Sequence, residues 1–387
     1  MKNALKKVYS VLYWRFYGVV SKALLLGAKL YAGLFVAQAE RKYWLMNAAR
    51  VIRNRRDTTD REAFEQYLAS NQKLSIRERR HLLRDFIRCE RKYGIVAEEY
   101  TALAFQDRTE SERDRIVSRW RQFHIVCSLN PAEERWRIDD KKQFIKSFRN
   151  YIGRESLDVA GGTKEEFFSF VKRHTRFLAK PTDGMSGKGI YAVDCTGKSE
   201  AELETLHKEL AQCHMLAEQF IVQTGILHQI NPSSVNTVRI ATLYDGQKPT
   251  IAFAFMRTGC GSSLVDNLHA GGIVWPVNHH TGIVSGRGYQ TSGEEFEAHP
   301  TTGIRVMGMQ IPKWQEAVDT VKEAAMLVPE LRFISWDVVI SDDRISLIEA
   351  NSNGGFWRPY EKDFDMWGEI KAFMDWTLGE NRPMRYF

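Results

Sequence analysis

The chain contains 387 residues, of which 43% are hydrophobic and 27% are charged. A chain of this length exceeds one ordinary domain and can bury a substantial core, so we expect two or three lobes. The sequence has 27 glycines and 10 prolines and shows no repeat or low-complexity tract, which excludes fibrous and disordered proteins. Its five cysteines are scattered without a CxxC pair, which argues against a zinc site and indicates a reducing compartment such as the cytoplasm.

The N-terminal segment is basic and apolar. The net charge of +7 is concentrated toward the N-terminal half, and residues 1–39 contain no acidic residue. Cations set among aromatic and leucine side chains are typical of helices that lie on an anionic membrane surface, and the uncharged runs are too short to span a bilayer. We predict a peripheral membrane contact for residues 1–45, with a helical hairpin packed on the protein or on a second subunit as the alternative. Lys22 and Lys29 interrupt the apolar region, which disfavours a cleaved signal peptide.

Residues 46–130 are predicted to form a helical N-terminal lobe. Between Ile76 and Tyr93, apolar residues recur at helical spacing, and Gly94 supplies a stop signal. Arginines are dense in this stretch, but acidic residues such as Asp85 interleave with them. Because the charges alternate in sign, the pattern predicts a solvated helix face and no nucleic-acid partner.

After Pro131 the pattern changes to strands that alternate with helices, which predicts an α+β body. Turn signals at Asp245-Gly246 and Asp342-Asp343 predict two hairpins. We expect one subdomain over residues 131–222 and a second over residues 223–387. The predicted helices span residues 141–149, 165–174, 200–212 and 312–328, and the predicted strands span residues 177–180, 190–193, 215–221, 237–244, 250–256, 333–340 and 344–350.

A glycine-rich loop joins two predicted strands between Lys180 and Ile190. Glycines allow backbone N–H groups to approach phosphate oxygens closely, and Lys180 and Lys188 add positive charge. The loop is not a Walker P-loop, because no GK[ST] follows at the required spacing and the loop enters a strand. It is a candidate phosphate cradle, with an ordinary glycine-rich hairpin as the alternative.

Three oxygen-bearing side chains cluster in the last predicted hairpin. Asp337 lies on its first strand, and Glu349 and Asn351 lie at i and i+2 on its second, so the latter two point the same way. Pairing of the strands brings all three together, and Mg²⁺ favours carboxylate oxygens of this kind. The alternative, polar residues on the wet face of an edge hairpin, fits poorly because the flanking residues are Ile, Val and Leu.

In order along the chain, these motifs resemble the ATP-grasp superfamily, and within it the sugar-transfer-associated domains found in polysaccharide gene clusters. The resemblance runs from about residue 93 to residue 357. It is carried by Lys180 to Gly189, NPSSVNTVR at residues 231–239, VDNLHAGG at residues 265–272 and the hairpin of residues 337–355. The implied fold is an α+β ATP-grasp fold, in which two subdomains grip ATP, preceded by an N-terminal helical region.

The resemblance also implies the functional residues. Asp337, Glu349 and Asn351 would bind Mg²⁺, and Arg239 with Lys180 would support phosphoryl transfer. Implied nucleotide contacts are Lys141, with Lys142 as its rival, Lys180, Gly184, Ser186, Gly187, Lys188, Gly189, Glu218, Gln219, Phe220 and Ile221. Implied substrate contacts are Asn236, Arg239, Arg257, Asp266, Asn267 and His269, the last having a structural hydrogen-bonding role as its alternative.

The activity implied is that of an ATP-dependent ligase that activates a carboxylate as an acyl phosphate and joins it to an amine. The expected substrates are an amino acid or similar carboxylate and an amine, in cell-surface polysaccharide biosynthesis at the cytoplasmic face of the membrane. An ATP-grasp kinase acting on a hydroxyl group would use the same residues, and a non-catalytic nucleotide-binding scaffold is the other alternative. The expected ligands are therefore ATP and Mg²⁺, and the oligomeric state is left open.

Overall fold

The computed structural model describes residues 59–71, 74–182, 189–355 and 365–378. The predicted membrane-surface segment, residues 1–45, lies outside these ranges, as do Gly184, Ser186, Gly187 and Lys188 of the glycine-rich loop. Within the described ranges, no helix combines the length and the apolar character needed to cross a bilayer.

The chain divides into two compact units. One contains Met1–Arg113, Ser118–Arg121 and Asn381–Phe387, and the other contains Asp114–Val117 and Gln122–Glu380. The sequence predicted boundaries near residues 130 and 222. The two units divide the chain between residues 113 and 122, and residues 131–380 of the predicted α+β body lie in the second unit. The predicted boundaries stay predictions.

The first unit is helical where it is described. Its helices are α1 (Thr59–Ser70), α2 (Ile76–Tyr93) and α3 (Ala97–Ala102), followed by a 3₁₀ turn at Phe105–Asp107. Helix α2 has the predicted bounds: Ser75 and Glu78 form a capping box at its start, and Gly94 adopts a φ of 66° at its end. Helices α4 (Glu110–Asp114) and α5 (Arg119–Leu129) each contain residues of both units.

The second unit contains two antiparallel sheets, in strand order β1-β4-β2-β3 and β11-β10-β5-β6-β7-β8-β9, which confirms the predicted mixture of helices and sheets. Its helices are α6 (Trp136–Asp139), α7 (Lys141–Ser147), α8 (Lys164–Arg173), α9 (Glu200–Gln212), α10 (Gly225–Ile230), α11 (Trp314–Met326) and α12 (Met366–Leu378), with a 3₁₀ turn at Leu268–Ala270. The strands are β1 (Ser156–Asp158), β2 (Arg176–Pro181), β3 (Tyr191–Asp194), β4 (Met215–Gln219), β5 (Thr237–Tyr244), β6 (Pro249–Thr258), β7 (Ile273–Val277), β8 (Gly288–Tyr289), β9 (Glu295–Phe296), β10 (Phe333–Ile340) and β11 (Ile345–Asn351).

The larger sheet packs one face against helices. Alternate residues of neighbouring strands, among them Val238, Met256 and Trp336, belong to the main hydrophobic core, together with Trp314 and Val321 of α11. Because side chains alternate along a strand, the residues between them emerge on the opposite face. That opposite face carries Thr237 and Arg239 of β5 and Asp337 of β10, so the larger sheet positions the polar residues that the sequence singled out.

The smaller sheet has its own core. Phe167 and Phe170 of α8 pack with Phe177 of β2 and Leu210 of α9, all fully buried or nearly so. The phenylalanine rings of this core meet edge to face, with 5.5 Å between the ring centroids of Phe170 and Phe177. This packing fixes β2 and β4, the strands that carry Lys180 and Glu218.

Candidate functional site

A row of charged side chains crosses four neighbouring strands of the larger sheet. Arg239 of β5 lies opposite Asp337 of β10, and Asp337 lies opposite Glu349 of β11. On the other side of β5, Thr237 lies opposite Arg257 of β6. Strand register therefore brings together five residues that are up to 112 positions apart in sequence, from 237 to 349.

Asp337 lies between two arginines. Its Oδ1 accepts a hydrogen bond from Nε of Arg239 at 2.6 Å, and its Oδ2 accepts one from a terminal nitrogen of the same guanidinium group at 2.8 Å. Arg257 reaches Oδ2 at 2.8 Å as well. Burial alone would raise the pKa of Asp337, but Arg239 and Arg257 outweigh burial and hold the pKa well below its ordinary value. The carboxylate is therefore ionised and fixes both guanidinium groups in place.

Arg257 is held from its other side by Asp266 and Thr237. Its Nε lies 3.0 Å from Oγ1 of Thr237 and 3.5 Å from Oδ2 of Asp266. The same Asp266 oxygen accepts a hydrogen bond from the backbone N–H of Thr237 at 3.1 Å and another from the Thr237 hydroxyl. Burial raises the pKa of Asp266 despite the neighbouring arginine. The predicted substrate residues Arg257 and Asp266 thus form one buried hydrogen-bonded group.

A β-bulge sets the direction of Glu349. Asp337 pairs with Glu349, whereas the next residue, Val338, pairs with Leu347, so Ile348 is an extra residue in β11. Leu347 belongs to the hydrophobic core, and unbroken alternation would place Glu349 in the core too. The bulge turns Glu349 to the polar face beside Asp337.

The residue Glu349 is exposed to solvent, but protein atoms lie close around its carboxyl group. The pKa of its carboxyl group is raised by this low-polarity surrounding and by the negative charge of Asp337. Asn351 lies on the same face, and its amide nitrogen donates a long hydrogen bond of 3.4 Å to the carboxylate of Glu349. The structure brings together all three residues that were predicted to bind Mg²⁺.

The oxygen atoms of this cluster suit Mg²⁺. Within residues 59–71, 74–182, 189–355 and 365–378, no group of three or more His, Cys, Asp or Glu side chains is placed to hold a metal ion. The predicted set has two carboxylates and one amide, which fits the preference of Mg²⁺ for a few protein oxygens completed by water and phosphate. Asp337 already accepts hydrogen bonds from two arginines, so Glu349 and Asn351 are the more accessible donors. A divalent cation beside Glu349 would relieve the repulsion that raises its pKa.

The smaller sheet carries a second buried charge cluster. Glu218 of β4 is 3% exposed, and its carboxylate contacts Nε of Arg154 at 3.1 Å and the ammonium group of Lys180 of β2. Burial opposes ionisation of Glu218, but Arg154 and Lys180 lower its pKa to about 2. The structure thus brings Lys180 and Glu218, both predicted nucleotide contacts, into direct contact.

The two rival lysines at the start of α7 have different partners. The ammonium group of Lys141 donates a hydrogen bond of 3.0 Å to the carbonyl oxygen of Pro181, the residue after Lys180. Lys142 forms an ion pair of 2.7 Å with Asp158 of β1. Lys141, a predicted nucleotide contact, therefore lies at the base of the glycine-rich loop.

The remaining predicted nucleotide residues lie near the end of β4 and after the loop. Gln219 accepts a hydrogen bond of 3.0 Å from the backbone of Glu155, and Phe220 and Ile221 follow β4 as half-buried residues. Gly189 is exposed, and its φ of 76° suits glycine.

The other predicted substrate residues lie in different surroundings. Asn236 is fully buried, and its amide group donates to the carbonyl oxygens of Leu227 and Asn231 at 2.7 and 3.1 Å. These bonds organise the loop before β5. Asn267 is half-buried and His269 is exposed, and both lie at the 3₁₀ turn of residues 268–270.

Sequence reasoning missed Arg154 and Thr237. Thr237 had a signal, because it lies two residues before Arg239 on the same face of β5. Arg154 had none, since it lies in a short connection before β1 and its partners are distant in sequence.

The profile of the sugar-transfer associated ATP-grasp family matches residues 126–360 of the chain. A search of curated protein sequences found no match to the chain.

Among solved structures, the chain is similar to the ATP-grasp ligase PsnB complexed with a phosphomimetic variant of minimal precursor, Mg and ADP, with a TM-score of 0.38, 14% identity and coverage of 64% of this chain and 61% of that chain. It is also similar to the D-alanine-D-alanine ligase from Coxiella burnetii, with a TM-score of 0.36, 11% identity and coverage of 62% and 59%. The macrocyclase MdnC from Microcystis aeruginosa bound with its precursor peptide MdnA gives a TM-score of 0.37, 15% identity and coverage of 62% and 63%. The similar region spans less than two thirds of each of these three proteins.

Proposed function

The chain belongs to the sugar-transfer associated ATP-grasp family, and from this membership we propose that it is an ATP-dependent ligase that joins a carboxylate to an amine through an acyl phosphate. The observation that carries the proposal is the pairing of Asp337 with Arg239 and Arg257 beside Glu349. Two fixed guanidinium groups next to an accessible carboxylate provide what phosphoryl transfer requires, positive charge at defined positions and oxygen donors for a metal ion.

On this proposal, the smaller sheet holds the phosphates of ATP. Lys180 keeps a fixed position because Glu218 binds its ammonium group, and Lys141 lies next to Pro181 at the base of the glycine-rich loop. A lysine whose position is fixed before the nucleotide arrives loses less entropy on binding. Glu218, Gln219, Phe220 and Ile221 are the proposed contacts to adenine and ribose.

The larger sheet carries the transfer step. Asp337 engages Nε and one terminal nitrogen of Arg239, and the other terminal nitrogen lies against Gly355, where a Cβ atom would be only 2.2 Å away. We assign Arg239 the contact to an oxygen of the transferring phosphoryl group, because a guanidinium group binds phosphate oxygens well. Glu349 and Asn351, with Asp337, would hold Mg²⁺, which when bound would neutralise charge on the phosphate oxygens.

The proposed reaction forms two bonds and breaks two bonds at phosphorus and carbon. An oxygen of the substrate carboxylate attacks the γ-phosphorus, and the bond to the bridging oxygen breaks to release ADP. The amine nitrogen then attacks the acyl carbon, phosphate leaves with its oxygen, and the nitrogen loses a proton. The protein supplies positions and charge, so no nucleophilic side chain is required.

Hydroxylamine trapping tests the ligase proposal. With ATP, Mg²⁺ and a library of amino acids and other carboxylates, a ligase converts its carboxylate substrate into a hydroxamate and releases ADP. A kinase would instead leave a stable phosphorylated product, and a scaffold would bind ATP without releasing ADP. Glu349→Gln is expected to keep the fold and abolish ADP formation; retained turnover would contradict the metal assignment.

We further propose that the substrates belong to cell-surface polysaccharide assembly and that residues 1–45 hold the enzyme at the cytoplasmic face of the membrane. The basic and aromatic composition of this segment supports the membrane contact. Deletion of residues 1–40 should abolish binding to vesicles that contain anionic lipid and leave ATP binding unchanged. Loss of folding in the deletion variant would favour a hairpin packed on the protein.

A further inference from the structure

Arg154 connects the two charge clusters. Its side chain is 2% exposed and lies between the smaller sheet and the edge strand of the larger one. It contacts both carboxylate oxygens of Glu218, at 3.1 and 3.5 Å. It also donates to the carbonyl oxygens of Ile152, Leu347 and Ile348, at 3.2, 2.8 and 3.0 Å. These five acceptors match the five N–H groups of a guanidinium group.

The carbonyl groups that Arg154 binds on β11 belong to the bulge. Ile348 is the extra residue, and Leu347, which precedes it, turns its N–H away from β10 toward Tyr151, so Arg154 satisfies carbonyl groups at the bulge that β10 does not bind. The adjoining chain also follows β11 closely. Gly153, at a φ of 59°, lies so near Ser346 that a Cβ atom would be 2.3 Å from its hydroxyl oxygen, and the carbonyl of Tyr151 accepts from the N–H of Leu347.

The bulge determines whether Glu349 can serve the site. Without it, strand alternation would direct Glu349 to the face where Leu347 packs in the core. The guanidinium group of Arg154 also binds Glu218, and Glu218 in turn binds the ammonium group of Lys180. A single buried side chain therefore supports a carboxylate of the larger sheet and an ammonium group of the smaller one.

We propose that Arg154 is a positioning residue that aligns Lys180 with Glu349, so that phosphate binding and metal binding depend on each other. The inference rests on the proposed function, because it assumes that the two clusters hold parts of one Mg-nucleotide. On this proposal Arg154 acts through Glu218 and the β11 backbone, because these groups take its N–H donors.

Arg154→Lys tests the proposal. Lysine keeps a positive charge near Glu218, but its single ammonium group cannot span the carboxylate and the two bulge carbonyl groups. The affinity for ATP is measured by isothermal titration calorimetry with and without Mg²⁺. In the wild-type protein Mg²⁺ is expected to tighten ATP binding. In the variant this gain should shrink by roughly 10- to 100-fold, the usual effect of disturbing residues that orient metal ligands.

Arg113→Lys is the matched control. Arg113 is also buried, pairs with both oxygens of a carboxylate, Asp85, and donates to a backbone carbonyl, but it lies in the first unit. Its replacement should lower the melting temperature and leave the Mg²⁺-dependent gain intact. If Arg154→Lys behaves in the same way, Arg154 is merely structural and the proposal is overturned. If the wild-type protein binds no ATP, the proposed function is wrong, and this inference fails with it.

Hydrogen exchange of the wild-type chain keeps the proposal testable if Arg154→Lys does not fold. Binding of Mg²⁺ alone should slow amide exchange in β11 and also in β4, which carries Glu218 but no proposed metal ligand. Slower exchange confined to β11 would refute the coupling.

Discussion

Glu218→Gln should destabilise the second unit, because it leaves two buried cations without their counter-charge. The side chains of Glu218, Arg154 and Lys180 are 4%, 2% and 12% exposed. A carboxyl pKa lowered from 4.5 to about 2 corresponds to about 3 kcal/mol of stabilisation at neutral pH. Loss of one partner of a buried ion pair typically costs about 3–5 kcal/mol, which agrees with that value.

The same carboxylate predicts a pH dependence. Its folded pKa lies below its unfolded pKa, so its stabilisation is complete above pH 4.5 and is lost as the pH falls from 4.5 to about 2. The wild-type protein should therefore lose about 3 kcal/mol more than Glu218→Gln over this interval. The assay is urea unfolding at pH 7 and at a series of acidic pH values without nucleotide, following amide protection in residues 215–219.

Glu297→Gln provides the matched control. Glu297 also pairs with two cations, Arg287 and Arg305, but all three side chains are substantially exposed. Solvent screens such pairs, so the control should leave the free energy of unfolding nearly unchanged. If Glu218→Gln and Glu297→Gln had equal effects, or if Glu218→Gln kept the acid dependence of the wild type, the assignment of buried charge to Glu218 would be refuted.

Three further predictions concern other positions. Gly355→Ala should lower ADP formation by roughly 100-fold, because the new Cβ atom would displace the guanidinium group of Arg239. Gly197→Ala, also at a positive φ but with no atom nearby, should leave ADP formation unchanged. Steady-state assays of ADP formation by both variants test this prediction. Burial lowers the pKa of His279 from 6.5 to about 4, so the free energy of unfolding should decrease by up to about 3 kcal/mol as the pH falls from 6.5 to about 4. In urea titrations, His279→Gln should show a smaller decrease over this pH range. Burial raises the pKa of Cys89 to about 12, so iodoacetamide at pH 8 should label exposed Cys213 and spare Cys89, and labelling of Cys89 in the folded protein would contradict this.

The parts of the fold that the sequence predicted well are those with a local cause. The strands Thr237–Tyr244 and Phe333–Ile340 and the helix Glu200–Gln212 have the predicted bounds, because apolar periodicity and a flanking turn or cap define each of them. The strand predicted to reach Ile221 ends at Gln219, where pairing with β2 stops. The short strands β8 and β9 were not predicted, since two residues carry no periodic signal.

The candidate site divides in the same way. The pairing of the two strands of the last hairpin, which brings Asp337 near Glu349, follows from the Asp342-Asp343 turn and the apolar pattern around it, but the turn alone would place Asp337 opposite Ile348. The pairing of Asp337 with Arg239 and Arg257 requires that β5 lie between β10 and β6, and that order depends on contacts across nearly a hundred residues. No pattern in a single stretch of sequence contains that information.

Glu349 shows why even a correct local argument was incomplete. The rule that residues i and i+2 share a face correctly grouped Glu349 with Asn351, because both lie beyond the bulge. Applied backward from Glu349, the same rule would group it with Leu347 and direct a carboxylate into the hydrophobic core. The conflict is resolved only by the extra residue Ile348, whose carbonyl group is bound by Arg154. An acidic residue that strand alternation assigns to a core face therefore indicates a bulge. In β11 the extra residue of the bulge has a carbonyl group that needs a buried donor, and that donor is Arg154.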